Sequence, residues 1–322
     1  MDNKTNDIRL LVRCSQMYYE DGLNQAQISK KLGISKSSIS RILNSAKEEG
    51  IIKISVLNPL PNEYIYLEKG LEKKFGLKEV IVVDSKSNEP REIKQELAKA
   101  SAEYLERVIK DDDIIGVTWG TTIKEITKYV KNNRRNKVTF IPLLGGLGQS
   151  NIDIHSNQIA LELAKKFKAD SRLLHAPCII DDPERKKMFI EDKNIQTFLK
   201  LLEKVNIAIT GIGSPQLNTS TMLATGYYSK KQIENLVQEG AVADISSLFI
   251  DKFGQGDSFE NNNRVIGVTL NQIKNIPLTI GVAGHEKKTK AILAALRGGY
   301  IDVLIVDDKT AQGILNLDNF DD

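Results

Sequence analysis

Gly116-Val-Thr-Trp-Gly-Thr-Thr122 is built to hold an anion. The apolar run Ile114–Thr118 reads as a strand, and a helical pattern over Thr122–Lys131 follows at once. A strand, a Gly/Thr loop and a helix start together present unpaired backbone N–H groups and a partial positive charge, which suit a phosphate. Gly120 lets the backbone approach closely, and Thr121 and Thr122 add hydroxyl donors. A tight strand-to-helix turn with a threonine cap would look the same locally. Four further glycine-rich segments supply the context: Leu143–Gly148, Gly211–Ser214, Gly240–Asp244 and Gly281–His285. The last leads into a helix carrying Lys287, Lys288 and Lys290. Five such loops, with Lys288 as the principal cation, point to an anionic small molecule. Neither G-x-x-x-x-G-K-[ST] nor G-x-G-x-x-G is present at these loops, which argues against a nucleotide.

The same residues are poor in catalytic groups. No Ser-His-Asp set, H-E-x-x-H pattern or Cys-His pair can be assembled from spacing, and no metal site or cofactor is expected. Asp244 could serve as a general base, but a single carboxylate beside a binding loop more often orients hydroxyls. His285 could meet a phosphate or simply sit on a surface loop. Asp307 and Asp308 follow a strand, where capping the next helix is the plainer role. Asp181 and Asp182 look solvent-facing.

A second chemistry lies in Asn24–Ala46, NQAQISKKLGISKSSISRILNSA. It reads as two short helices joined by a turn at Gly33. Ile28 and Leu32 are apolar at i and i+4, and Ile34 packs beneath the turn. Ser35 is placed to cap the second helix, whose apolar stripe is Ile39, Ile42 and Leu43. Its other face carries short hydroxyls and cations suited to base edges and phosphates. Gln25, Ser35, Lys36, Ser37, Ser38, Ser40 and Arg41 are the candidate DNA contacts. An ordinary surface hairpin would more often show Glu/Lys pairs there. Upstream, Ile8–Tyr19 reads as a helix with Leu11, Val12, Ser15 and Tyr19 near one face. Downstream, Ile51–Leu57 alternates like the short strand of a winged variant.

These two sets of residues need two scaffolds, and 322 residues allow them. Asn58-Pro-Leu-Pro-Asn62 cannot continue a helix or a central strand. It separates a helix-turn-helix domain (1–57) from an effector domain (63–322), which opens with a helix over Tyr64–Phe75. Beyond it, apolar runs of strand length lie at 80–83, 114–118, 138–144, 172–176, 207–213, 265–269, 278–283 and 303–307. Helical patterns separate most of them. Unbroken Val/Ile runs indicate strands covered on both faces, hence a doubly wound, mainly parallel α/β domain. Up to Asn58 there are nine Lys/Arg against six Asp/Glu, while the whole chain has 45 against 42, so all the net positive charge sits with the DNA reader. Cys14 and Cys178 share no metal-type spacing and read as reduced residues. No apolar run is long enough to span a membrane, the N-terminus is polar and charged, and a cytoplasmic location is expected.

GVTWGTT, PLLGG, GAVADI and AGHEKKTKAILAALRGGYIDVLIVD, in that order behind a serine-rich helix-turn-helix, resemble the SorC family of bacterial sugar-responsive transcription regulators. The resemblance covers nearly the whole chain. It implies a sensor domain similar to sugar-phosphate isomerases and deaminases, usually without catalytic activity, with phosphorylated sugars as effectors and homo-oligomers (dimer or tetramer) on operator DNA. An active isomerase or deaminase with a DNA-binding appendage is the alternative. The resemblance places effector contacts at Gly120, Thr121, Thr122, Gly145, Gly146 and Lys288, with Asp244 as hydroxyl partner. Three positions depart from the family pattern. Leu144 stands where some members have a Schiff-base lysine, His285 where the second glycine after Ala-Gly is usual, and Ala243 where Gly-Ala-Val-Gly-Asp has its glycine.

Overall fold

The computed structural model describes residues 3–54, 64–131, 137–146, 154–216, 222–223 and 226–320. The chain divides into two compact units, 1–62 and 63–322.

The first unit holds α1 (Asn3–Tyr19), α2 (Gln25–Leu32) and α3 (Lys36–Glu48). Its core joins Leu11, Cys14 and Met17 of α1 to Ile28, Ile39 and Leu43. Cys14 is therefore a core residue. The inward face of α1 is rotated from the sequence expectation: Val12 and Tyr19 are exposed, and Cys14 and Met17 take the interior. Asn24 caps α2 reciprocally with Gln27, and Gly33 ends it in the left-handed conformation. Ser35 caps α3, its Oγ accepting from the Ser38 N–H at 3.1 Å. The expected Ile51–Leu57 strand is not formed over 51–54, where the Ile52 N–H instead bonds to the Ala46 carbonyl at the end of α3. Residues 55–57 and the 58–62 linker lie outside the described residues.

The second unit runs α4 (Ile65–Phe75), β1 (Glu79–Val83), α5 (Pro90–Val108), β2 (Ile114–Val117), α6 (Thr121–Ile126), β3 (Thr139–Pro142), α7 (Ser156–Phe167) and β4 (Asp170–Ser171). It continues through α8 (Pro183–Glu191), α9 (Lys193–Leu202), β5 (Ile207–Gly211), α10 (Lys230–Gln238), β6 (Ala243–Ile245) and β7 (Leu248–Ile250). It ends with α11 (Leu270–Asn275), β8 (Leu278–Val282), α12 (Thr289–Arg297), β9 (Val303–Asp307) and α13 (Asp308–Phe320). Seven parallel strands form one sheet in the order β1-β9-β8-β5-β2-β3-β4. Every residue of β9 is buried, and apolar cores lie on both faces, as the continuous Val/Ile runs require.

The sequence places strands at 172–176 and 265–269, and neither forms. After Arg172 the chain leaves the ladder because the Asn157 side chain takes both backbone groups of Leu174, each at 3.0 Å. The 265–269 segment makes only single bridges, Val265 to Ile179 and Gly267 to Leu144. α6 stops at Ile126 rather than Lys131. Helices α8 and α11 and the antiparallel β6-β7 pair are additional to the sequence reading, while α13 is the helix expected after Asp307 and Asp308.

Candidate functional site

The strand order reverses between β2 and β5. From β2 the chain proceeds outward through β3 and β4, then returns to β5 on the other side. In open α/β sheets such a reversal leaves a crevice beyond the carboxyl ends of the two strands. A cavity of about 310 Å³ lies there, near the lower end of the range for small-molecule sites. The loop after β2 (Thr118–Ile123), the loop after β5 (Gly211–Ser214) and the loop after β8 (Gly284–Lys288) all line it. Asp244 and Ser246 enter from the β6-β7 pair, and Lys94 from α5.

Gly120, Thr121 and Thr122 stand together on the β2 side. Gly120 has φ +129°, a conformation that L side chains rarely adopt. Its N–H bonds to the Ile154 carbonyl at 3.1 Å. Among the described residues no side chain caps α6, and the first N–H groups of a helix have no partners within the helix itself. Beside them, the Trp119 indole N–H donates to Ser247 Oγ at 2.9 Å.

Asp244 reaches the cavity through a close backbone approach. It exchanges backbone hydrogen bonds with Gly213, at 2.9 and 3.1 Å. A Cβ on Gly213 would fall 1.8 Å from Asp244 Oδ1, so only glycine lets the carboxylate lie against the β5 loop. Burial pushes the Asp244 carboxyl up to about 6, against the opposing pull of the Lys288 charge and a Ser247 backbone hydrogen bond. Lys288 Nζ donates to the Ile212 carbonyl at 2.9 Å. Burial lowers its pKa; the Asp244 charge opposes that, and Lys94 reinforces it. Lys94 is itself lowered, chiefly by burial.

His285 also lines the cavity. Its φ is +83°, in the region glycine favours, so the backbone would suit the glycine that the resemblance implies at this position. Its N–H donates to Asp307 Oδ2 at 2.7 Å, and its Nδ1 accepts from the Lys287 N–H at 3.2 Å. Asp307 is fully buried and caps α13 through the Thr310 N–H and hydroxyl. It therefore positions the loop without facing the ligand. Asp182 caps α8, and Asp181 accepts from Arg264 at 3.4 Å.

Gly145 and Gly146 are not among the residues that line the cavity. Their N–H groups bond to the Ile266 and Ala176 carbonyls, at 2.9 and 2.8 Å. A Cβ on Gly145 would meet the Ala176 and Pro177 carbonyl oxygens at 2.5 Å. That glycine is required by backbone crossing, and the structure separates the pair from the other five expected contacts. Leu144 and Ala243 are fully buried, and Cys178 lies in the core, its thiol pushed up by burial to about 12. Leu147 and Gly148, the end of that glycine-rich segment, lie outside the described residues.

Sequence reading missed Lys94, Trp119 and the Ser246-Ser247 turn. The turn had a signal. Ala-Asp-Ile and Leu-Phe-Ile are apolar-rich triplets separated by two residues, the spacing of a tight hairpin. Both serines have positive φ, +54° and +63°, as a primed turn demands. Serine in place of Asn-Gly hid the pattern.

In the first unit, Ile39, Leu43 and Ala46 of α3 are buried and Ile42 partly so. Lys36, Ser37 and Arg41 are exposed, and Ser40 is half-buried. Ser37, Ser40 and Arg41 share a face with exposed Asn44, at i, i+3, i+4 and i+7. Ser35, Ser37 and Ser38 are linked through their hydroxyls at 2.8–3.0 Å, and Gln25 is half-buried at the start of α2.

A helix-turn-helix unit joined in one chain to a parallel α/β domain, with a ligand cavity at its switch point, defines a ligand-responsive DNA-binding regulator. Comparison with known proteins agrees. Residues 61–316 match the Sugar-bind family of sugar-binding domains, and residues 15–53 match a winged helix-turn-helix DNA-binding family. The deoxyribonucleoside regulator of Bacillus subtilis is 32% identical over 96% of this chain and 97% of its own length. The sorbitol operon regulator of Klebsiella pneumoniae is 30% identical over 98% of this chain and all of its own. The crystal structure of that full-length regulator matches with a TM-score of 0.75, covering 98% of this chain and 99% of that one. A DeoR family regulator from Listeria monocytogenes matches at 36% identity and TM-score 0.73, over 79% of this chain and all of that one. The chain belongs to the SorC family of transcriptional regulators, DNA-binding proteins with a sugar-binding effector domain.

Proposed function

We propose that the effector is a phosphorylated sugar or polyol and that Gly120, Thr121, Thr122, Lys288 and Asp244 hold it. The observation that carries this reading is the coexistence, in one small cavity, of an anion-suited set and a hydroxyl-suited set. Gly120–Thr122 and Lys288 supply donors and positive charge. Asp244 supplies an acceptor for hydroxyls. The relatives named for sorbitol and for deoxyribonucleosides differ in the compound and agree on carbohydrate chemistry. The protein acts in the cytoplasm as a homo-oligomer on operator DNA, reading bases and phosphates with α3. Effector binding shifts the sensor between two states, and a coupling of about 1–3 kcal/mol suffices to change DNA affinity roughly 5–150-fold.

The domain binds its sugar without turning it over. Among the described residues, Asp244 is the one carboxylate lining the cavity, and the His285 Nδ1 is already occupied by the Lys287 N–H. The relatives are named as regulators, which supports a binding role for the charged groups of the cavity. Isomer analysis after prolonged incubation with sugar phosphates tests this, and catalytic conversion would restore the enzyme reading.

The first test of the effector is thermal melting against sugars and their phosphate esters. A ligand at about 100 times its Kd adds about 2.7 kcal/mol, a shift of several degrees for a unit of this size. A shift with an ester but not its parent sugar supports the reading. A shift with free sugars alone refutes the phosphate assignment. Replacing Thr121 and Lys288 together with Ala should abolish the ester's effect while leaving DNA binding intact; a normal response in that variant would move the site elsewhere.

A further inference from the structure

Ser246 is 3% exposed and lines the cavity. Among the described residues its Oγ has no hydrogen-bond partner within the protein. Such a group is unfavourable in a folded chain unless something satisfies it. The neighbouring serine shows how this turn uses its hydroxyls. Ser247 Oγ accepts from the Trp119 indole N–H at 2.9 Å, which ties the turn to the anion loop. The turn is thus fixed by one serine, while the other lines the cavity as a residue and keeps a buried hydroxyl without a partner. Both hold a backbone conformation that glycine or asparagine adopts more readily, so turn geometry alone does not account for serine at 246. Asp244, two residues before, lines the same cavity.

We propose that Ser246 is a ligand-contacting, specificity-determining residue. It hydrogen-bonds a hydroxyl of the sugar or polyol next to the one taken by Asp244, and so selects effectors bearing a neighbouring pair of hydroxyls. The inference rests on the sugar-phosphate reading of this cavity. A hydroxyl both donates and accepts, whereas the ionised Asp244 only accepts, so the pair fixes the orientation of a diol more tightly than a carboxylate alone. A site built to bond a hydroxyl discriminates strongly against an analogue that lacks it, because the protein group is then left unpaired.

The test uses the full chain, with Trp119 fluorescence and thermal melting as readouts. Wild type, Ser246→Gly and Ser246→Ala are titrated with sorbitol 6-phosphate, ribose 5-phosphate, 2-deoxyribose 5-phosphate and inorganic phosphate. Glycine accepts a φ of +54° without strain, so Ser246→Gly retains the turn and removes the hydroxyl. The expected result is that a hydroxylated ester shifts wild type and that both variants bind it about tenfold more weakly. Their affinities for inorganic phosphate should match wild type, and their unliganded melting should be at or above that of wild type, because the substitutions remove an unpartnered buried hydroxyl. If wild type and variants bind every ester equally, Ser246 makes no ligand contact and the proposal fails while the sugar-phosphate reading stands. If inorganic phosphate binding falls in parallel, Ser246 acts on the whole site and the specificity role fails. If no ester or phosphate shifts wild type, the underlying reading falls and takes this inference with it.

Discussion

Asp244→Asn should make the ligand-free protein more stable at neutral pH while weakening its response to the effector. The Asp244 carboxyl moves from 3.8 to about 6 on folding, mainly by burial. A shift of that size corresponds to about 3 kcal/mol of penalty against the ionised form. The folded state binds more protons than the unfolded state between these two values. Wild-type stability therefore falls as pH rises from about 4 to 6 and stays lowered above that. Asparagine keeps the shape and cannot ionise, so the variant escapes the penalty. Part of the gain is lost because Lys288 forfeits the charge that favours its protonation. A net gain of about 1–3 kcal/mol at pH 7.5 is expected, shrinking towards pH 4, where Asp244 is neutral in both folded and unfolded chains. Trp119, the chain's single tryptophan, makes the measurement selective. Its indole is buried in the effector unit against Ser247. Urea unfolding followed by its fluorescence therefore reports that unit, and other carboxylates cancel between variant and wild type. A variant less stable at pH 7.5, or a difference independent of pH, would refute the reasoning and make Asp244 a net structural support.

Two further substitutions test other parts of the argument. Arg41→Ala removes an exposed cation from α3 and should weaken binding to an operator duplex obtained by in vitro selection about tenfold or more, with an unchanged circular dichroism spectrum; unaltered affinity would remove Arg41 from the interface. His285→Gly relieves a φ of +83° and should stabilise the effector unit by about 1 kcal/mol, seen as a rise of about 2–4 °C in melting. A fall would mean that the imidazole contact with the Lys287 N–H outweighs the backbone strain.

What could be read from the residues follows from how local each signal is. The helix-turn-helix was legible because its evidence is contiguous: the Ser35 cap, the Gly33 break and the Ile39/Ile42/Leu43 stripe fall within a dozen residues. The parallel sheet was legible because Val/Ile runs such as Val303–Asp307 satisfy burial on both faces. The 172–176 run failed for a non-local reason. Its apolar residues suit a strand, but the Asn157 side chain supplies the hydrogen bonds that a neighbouring strand would have given Leu174. Gly145 and Gly146 look like Gly120 in sequence. Gly145 answers a different need, the crossing of the Ala176–Pro177 backbone, which only the assembled chain reveals, whereas a side chain at Gly146 would meet that backbone only at an ordinary contact distance.

The site itself depends on strand order more than on any motif. Thr121, Gly213, Asp244 and Lys288 span more than half of the chain, and no spacing rule connects them. They meet because β2 and β5 are neighbours at the reversal and β8 pairs with β5 on the next position. This places the loop after β8, with Lys288, beside the loop after β5, where its Nζ meets the Ile212 carbonyl. The β6-β7 pair then brings Asp244 onto Gly213. A lysine and a carboxylate held in a buried cavity each lose hydration, and both pKa shifts record that cost. A ligand carrying a negative charge beside hydroxyls would relieve both at once, the anion restoring the charge on Lys288 and the hydroxyls solvating Asp244. The desolvation that burial imposes on each of these two groups is then a source of differential affinity, which a sensor needs if its ligand is to shift an equilibrium at all.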